Sequence, residues 1–184
     1  MPLTTYTSGE VLTASSLNSN LTAAGGLQFI KSQTIGTGVS SVTVTGAFSA
    51  TYDAYKIIIT GGVGSTDADI SLSLGATAAG YYAGYSRVTY STGAAATASN
   101  NGSSSWTRSG SSTTDVLFSH VDLFNPFATK RTMINGFNAF AGAAFSGGAM
   151  GGFLDNATSY TAFTYTASAG TMTGGTISVY GYAK

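Results

Sequence analysis

At 184 residues the chain has the length of one domain, or of one domain with a short extension, and can bury roughly two thirds of its unfolded surface. Charged residues make up 8% of it, with seven Lys and Arg against seven Asp and Glu, so no net field draws it toward nucleic acid or anionic membranes. No apolar run approaches the roughly 20 residues that cross a bilayer, the absence of cysteine rules out disulfides and thiolate metal sites, and 12% aromatic residues argue against disorder. What these numbers leave is a neutral exterior rich in Ser, Thr, Gly and Ala, of the kind that neighbouring copies cover.

The opening MPLTTYTSGE has neither the basic nor the apolar region of a secretory leader. GEVLTASSLNSNL, Gly9 to Leu21, then predicts a short helix, with Thr13 placed to cap it and Leu17 and Leu21 on one stripe, i to i+4. A helix of fewer than about 12 residues is marginal alone, so it needs a surface, either its own domain or another chain. Gly25-Gly26 reads as a flexible joint, which divides the chain into an N-terminal anchoring segment, 1–26, and a head domain, 27–184.

Beyond the joint the hydrophobic period becomes two. VTVTG, Val42 to Gly46, alternates, and DISLSLG places Ile70, Leu72 and Leu74 on one face and Ser71 and Ser73 on the other. YKIIITGG, Tyr55 to Gly62, is apolar on both faces and reads as a central strand. DVLFSHVDLF, Asp115 to Phe124, and SYTAFTYTAS, Ser159 to Ser168, supply further strands, and GGTISVYGYAK closes the chain with Ile177 and Val179 inward and Ser178, Tyr180 and Tyr182 outward. The low-complexity STGAAATASNNGSSS, Ser91 to Ser105, is expected to be a long exposed loop. FAGAAFSGGAMGGF, Phe140 to Phe153, is so dense in glycine that its residues mark bulges or close approach between backbones. The pattern predicts an all-β fold, an antiparallel β-sandwich or jelly roll of roughly eight to ten strands with one short N-terminal helix.

The residues that could carry chemistry are few. His120 and Asp122, two apart in FSHVD, share a face and read as a surface hydrogen-bonding pair, while Glu10 reads as a terminal or capping carboxylate. Asp67 and Asp69 form DAD, a fragment of a calcium loop without its later ligands, so a polar turn is the competing reading and no metal or cofactor is expected. No phosphate-binding loop, dinucleotide fingerprint, nucleophile elbow or paired-His zinc motif is present. A glycan-cleaving enzyme would need two carboxylates about 5 to 10 Å apart in a groove. Six scattered aspartates and one glutamate do not point there. The aromatics Tyr81, Tyr82, Tyr85 and Tyr90, with Trp106, read first as packing in the core or between subunits; stacking on sugars is the second reading.

Four stretches, GEVLTASSLNSNL, FSATYDAYKIIITG, DLFNPFATKRTM and TSYTAFTYTASAGTMTGGTISVYGYAK, together resemble tailed-bacteriophage virion proteins, especially tail-fibre and related appendage domains. The resemblance implies a non-enzymatic structural protein of the phage particle surface, assembled in the host cytoplasm, whose β-sandwich head forms a homotrimer. It implies an N-terminal attachment in which Leu12, Leu17 and Leu21 dock on another virion protein, of the tail or the capsid, or on symmetry mates. It also implies a receptor-binding contact with a host-surface glycan, for which Tyr81, Tyr82, Tyr85 and Trp106 are the candidates. The chain lacks the coiled-coil or repeat shaft of a full-length fibre, so a capsid decoration or cement protein is the second expectation.

Overall fold

The computed structural model describes residues 7–11, 13–17, 25–142 and 145–184. Strands β1 (Leu27–Thr34), β2 (Ser41–Val44), β3 (Ala54–Thr60), β4 (Val63–Gly64), β5 (Ala68–Leu74), β6 (Tyr81–Thr89) and β7 (Ala95–Ser103) fill its first half. The second half holds β8 (Trp106–Ser112), β9 (Leu117–Phe124), β10 (Thr132–Phe140), β11 (Ser146–Leu154), β12 (Phe163–Ala167), β13 (Met172–Thr173) and β14 (Thr176–Tyr182). The fold is all-β and antiparallel. The predicted segments become strands because their apolar residues recur every second position and so bury one face: in β5, Ile70, Leu72 and Leu74 are fully buried while the serines between them are not.

Twelve of the strands form one hydrogen-bonded sheet that branches at β9. One edge of β9 is taken by β3 along residues 119–124. The other edge is shared, with β10 pairing residues 120–124 and β8 pairing residues 117–119. From this fork a larger arm runs β1-β14-β3-β9-β10-β11-β6-β7, and a smaller arm runs β8-β5-β12-β2. A second, two-stranded sheet joins β4 to β13.

Both arms contribute to one core. Trp106 of β8, fully buried, packs edge-on against Tyr81 of β6 with ring centroids 4.9 Å apart, and its indole nitrogen donates to the Tyr82 carbonyl. The Tyr81 hydroxyl accepts from the Leu74 amide of β5 at 2.7 Å, and the Tyr165 hydroxyl of β12 meets that of Ser119 in β9 at 2.6 Å. Tyr and Trp bring large apolar area into a core only where their polar atoms find partners, and here the partners lie on the opposite arm. The all-β antiparallel class expected from sequence is what the chain adopts, as one large sheet whose two arms share β9.

Two expectations are corrected. Ser91 to Ser105 is not a loop: residues 95–103 form β7, paired along β6 and anchored by buried Asn100, which accepts from the Thr107 amide at 3.1 Å. Its small polar residues carry no apolar period, so backbone pairing makes the strand and pattern does not reveal it. The strand number rises to fourteen among the described residues. The glycines of residues 146–152 lie in β11, in unbroken register with β6 and β10. A Cβ on Gly148 would collide with the Ser86 carbonyl and one on Gly152 with the Tyr82 carbonyl, so close approach is what these glycines permit and bulging is not.

Ahead of the head, one helical turn covers residues 14–17. Thr13 caps it: its Oγ1 accepts from the Ser16 amide at 3.1 Å, and its own amide donates to Ser16 Oγ at 3.2 Å, a reciprocal arrangement like a capping box. Glu10 closes the preceding turn by accepting from the Thr7 amide at 3.0 Å.

Candidate functional site

Pairing register decides which side chains share the outer surface of the larger arm. Phe29 lies opposite Tyr180, Tyr180 opposite Lys56, Ile58 opposite His120, His120 opposite Phe137, and Met133 opposite Phe153, which stacks on Tyr82. Register partners project to the same side of a sheet, so these residues from strands far apart in sequence form one surface. Leu27, Phe29, Val88, Met133 and Phe137 all belong to it, five of the ten exposed large apolar side chains among the described residues. Phe29 is 61% exposed and Phe137 62%.

A compact polar cluster sits in the middle of this surface. Lys56 Nζ lies 3.0 Å from Asp122 Oδ1 and 2.7 Å from His120 Nε2, and the Tyr182 hydroxyl donates to the same Asp122 oxygen at 2.6 Å. An ammonium has no lone pair, so His120 accepts through Nε2 and carries its proton on Nδ1. Partial burial pulls the Lys56 pKa down, but hydrogen bonds and charge attraction from Asp122 and Tyr182 outweigh it and hold the ammonium above 10.5. Tyr182 is likewise raised, by burial first and then by the neighbouring Asp122 carboxylate. His120 and Asp122 therefore share a face as expected, but Lys56 bridges them. One cation, one carboxylate, a neutral imidazole and a phenol compensate each other, which lets a partner cover the cluster without stranding a charge.

The predicted recognition aromatics divide. Tyr81 and Trp106 are fully buried and Tyr85 is 8% exposed, with its hydroxyl donating to Asn100; none of the three has a ring face for a sugar, and these candidates are withdrawn. The reason is the period of two in GYYAGYSRVTY, which turns Tyr81 and Tyr85 into the core and Tyr82 outward. Tyr82 is half-buried on the outer surface, stacked on Phe153 at 5.1 Å, and Tyr90 is 63% exposed. Of the anchor residues, Leu17 is 47% exposed, whereas Leu12 and Leu21 lie outside the described residues. Asp69 pairs with Arg108 at 3.3 Å, and among the described residues no three His, Asp or Glu side chains gather to hold a metal. The apolar outer surface itself escaped sequence reasoning; its signal was the apolar residue on the outward position of each strand, Phe29, Ile58, Phe137 and Tyr180.

Compared with protein families, curated proteins and solved structures, the chain finds no match.

Proposed function

We propose that this chain is a non-enzymatic structural protein of a bacteriophage particle, a homotrimeric tail-fibre-like appendage anchored through residues 1–26. The observation that supports this reading is the apolar outer surface of the larger arm. Eight strands spaced about 4.8 Å apart, with some five residues of each at about 3.4 Å, span on the order of 600 Å² in projection. That span, which includes the polar cluster, approaches the roughly 800 Å² each partner buries in a stable protein interface, and it carries five exposed large apolar side chains, Leu27, Phe29, Val88, Met133 and Phe137. Identical copies are the economical cover, because symmetry multiplies one contact into a rigid object. The anchor half of the reading rests on residues 14–17, where the apolar Leu17 is about half exposed.

Light scattering on the purified chain is the test. Three copies per particle are expected, and a stable monomer at micromolar concentration would refute the assembly. Deleting residues 1–24 is expected to abolish incorporation into particles while the head still folds; incorporation of the shortened chain removes the anchor. Imaging the particle distinguishes an appendage from a cement protein on the capsid shell.

A further inference from the structure

A cleft opens where Ala98 of β7 comes close to the outward residues Asp69 and Ser71 of β5 and to Thr107 and Arg108 of β8. Its centre is the ion pair of Arg108 and Asp69. Two lobes flank that pair and share Asp69, Arg108 and Ser168 as walls. One, of about 360 Å³, adds Ala98 and Ser99 of β7 and Ser105 and Thr107. The other, of about 320 Å³, adds Asp67, Arg87 and Phe140. Each falls in the size range of small-molecule sites, roughly 300 to 1,000 Å³.

Arg108 reaches this position at a conformational cost. Between the pairings Leu72 to Trp106 and Ile70 to Gly110, β8 carries three residues where β5 carries one, a bulge that swings the chain outward. Within it Arg108 adopts φ 61°, the left-handed region in which glycine would sit without strain. A strained non-glycine residue with its head group at the centre of a cleft is a frequent mark of a functional position. Tyr85 lies beneath the guanidinium, 5.8 Å from ring centroid to Cζ. Behind it, the Oδ1 of Asn138 is buried without a partner among the described residues, in a hollow that Arg87, Arg108 and Phe140 also line.

The hydrogen-bonding capacity of the cleft exceeds what the protein uses. Arg108 spends only Nε on Asp69 Oδ2, so both terminal nitrogens and the second carboxylate oxygen, Oδ1, have no partner among the described residues. The same holds for the hydroxyl of Ser105. The charges of the two lobes cancel, since two aspartates face two arginines. An anion would meet the carboxylates and a cation the guanidiniums. A neutral ligand bearing several hydroxyls satisfies both, donating to Asp69 Oδ1 and accepting from the Arg108 terminal nitrogens, with Phe140 and Ala98 left to touch its carbon skeleton.

We propose that this cleft is a binding site for a small uncharged polyhydroxylated ligand of the sugar class, centred on Arg108 and Asp69. The proposal goes beyond the particle reading and does not rest on it, because a monomer would carry the same cleft. The experiment is saturation-transfer NMR, followed by calorimetry, on the full chain with the methyl glycosides of glucose, galactose, rhamnose and N-acetylglucosamine, and with sulfate and citrate as anionic controls. Binding of at least one glycoside is expected with a dissociation constant of about 10 mM or tighter, and no binding of either anion. Arg108→Gly is expected to weaken glycoside binding at least about tenfold while the thermal midpoint holds or rises, since glycine accepts the left-handed backbone. Asp69→Asn, which keeps the shape but loses the carboxylate, should also weaken binding. Absence of transfer from all four glycosides, preference for an anion, or undiminished binding by Arg108→Gly would each overturn the site, whatever the oligomeric state proves to be.

Discussion

The outer surfaces of the two arms are made by the same device and look entirely different. On the smaller arm the outward positions of β2, β12 and β5 are Ser and Thr apart from Asp69, with Thr43 and Thr164 joined across strands at 2.9 Å. On the larger arm the same positions hold Phe29, Tyr180, Ile58, Phe137 and Met133 around a single compensated ion cluster. A hydroxyl ladder keeps an exposed sheet wet and uninviting to other strands, whereas an apolar sheet surface is stable in the long term only when covered. The contrast therefore separates a surface suited to solvent from one suited to protein, within a chain whose overall neutrality describes both equally well.

If the difference lies in what covers each surface and not in how firmly each arm is held, damage to the shared core must affect both arms alike. Trp106→Ala, which empties the contact between β8 and β6, is expected to cost about 3–5 kcal/mol and to melt the arms in one transition, by circular dichroism and by hydrogen exchange. Separate melting of the two arms would break the comparison at its root. A smaller effect comes from alkali. Burial of Tyr81 where the arms meet raises its pKa from the ordinary 10.0 to about 12. The folded state thus holds this proton more tightly than the unfolded chain: the contribution is complete below pH 10, declines as pH rises toward 12, and amounts to on the order of 2 kcal/mol. Urea midpoints at pH 7, 10 and 11.5 should fall only in the last interval, and buried Tyr165, also raised by desolvation, adds to the loss at higher pH.

Substitutions on the surfaces sharpen the contrast with less effect on stability. Phe29→Lys combined with Phe137→Lys should leave the monomer within about 0.5 kcal/mol of its original stability and yet dissociate the assembly in sedimentation. Retained assembly would mean that another surface makes the contact. Thr43→Ala on the smaller arm is the counterpart: it removes one hydroxyl bond, costs a few tenths of a kcal/mol at about the lower end for cross-strand pairs, and leaves the sedimentation profile unchanged.

Much of this architecture was legible in the sequence. Strands β2, β5, β9, β12 and β14 follow directly from a period of two and β3 from a run apolar on both faces, and Ile177 and Val179 point inward as their pattern requires. Strands β7 and β11 were hidden for opposite reasons: β7 is built from small polar residues with no apolar face, and β11 from glycines whose value lies in the backbones they let approach. Trp106 could be read either as a core residue or as a sugar-stacking one because serines surround it in sequence, and its burial against Tyr81 decides for the core. The outer surface and the cleft are products of pairing. Phe29 and Phe137 are brought to one side only by register across five strands, and the left-handed backbone of Arg108 arises from a count of three residues against one that exists only once β5 and β8 are aligned.

The first strand of the head pairs only with the last, Leu27 opposite Tyr182 and Thr34 opposite Thr176. During synthesis, at about 5–20 residues per second, β1 leaves the ribosome well before β14 and waits for all the strands between them before its neighbour exists. The seam between β1 and β14 therefore closes only after the other strands of the head have emerged, and the pairing that spans the most sequence is the last one available to it.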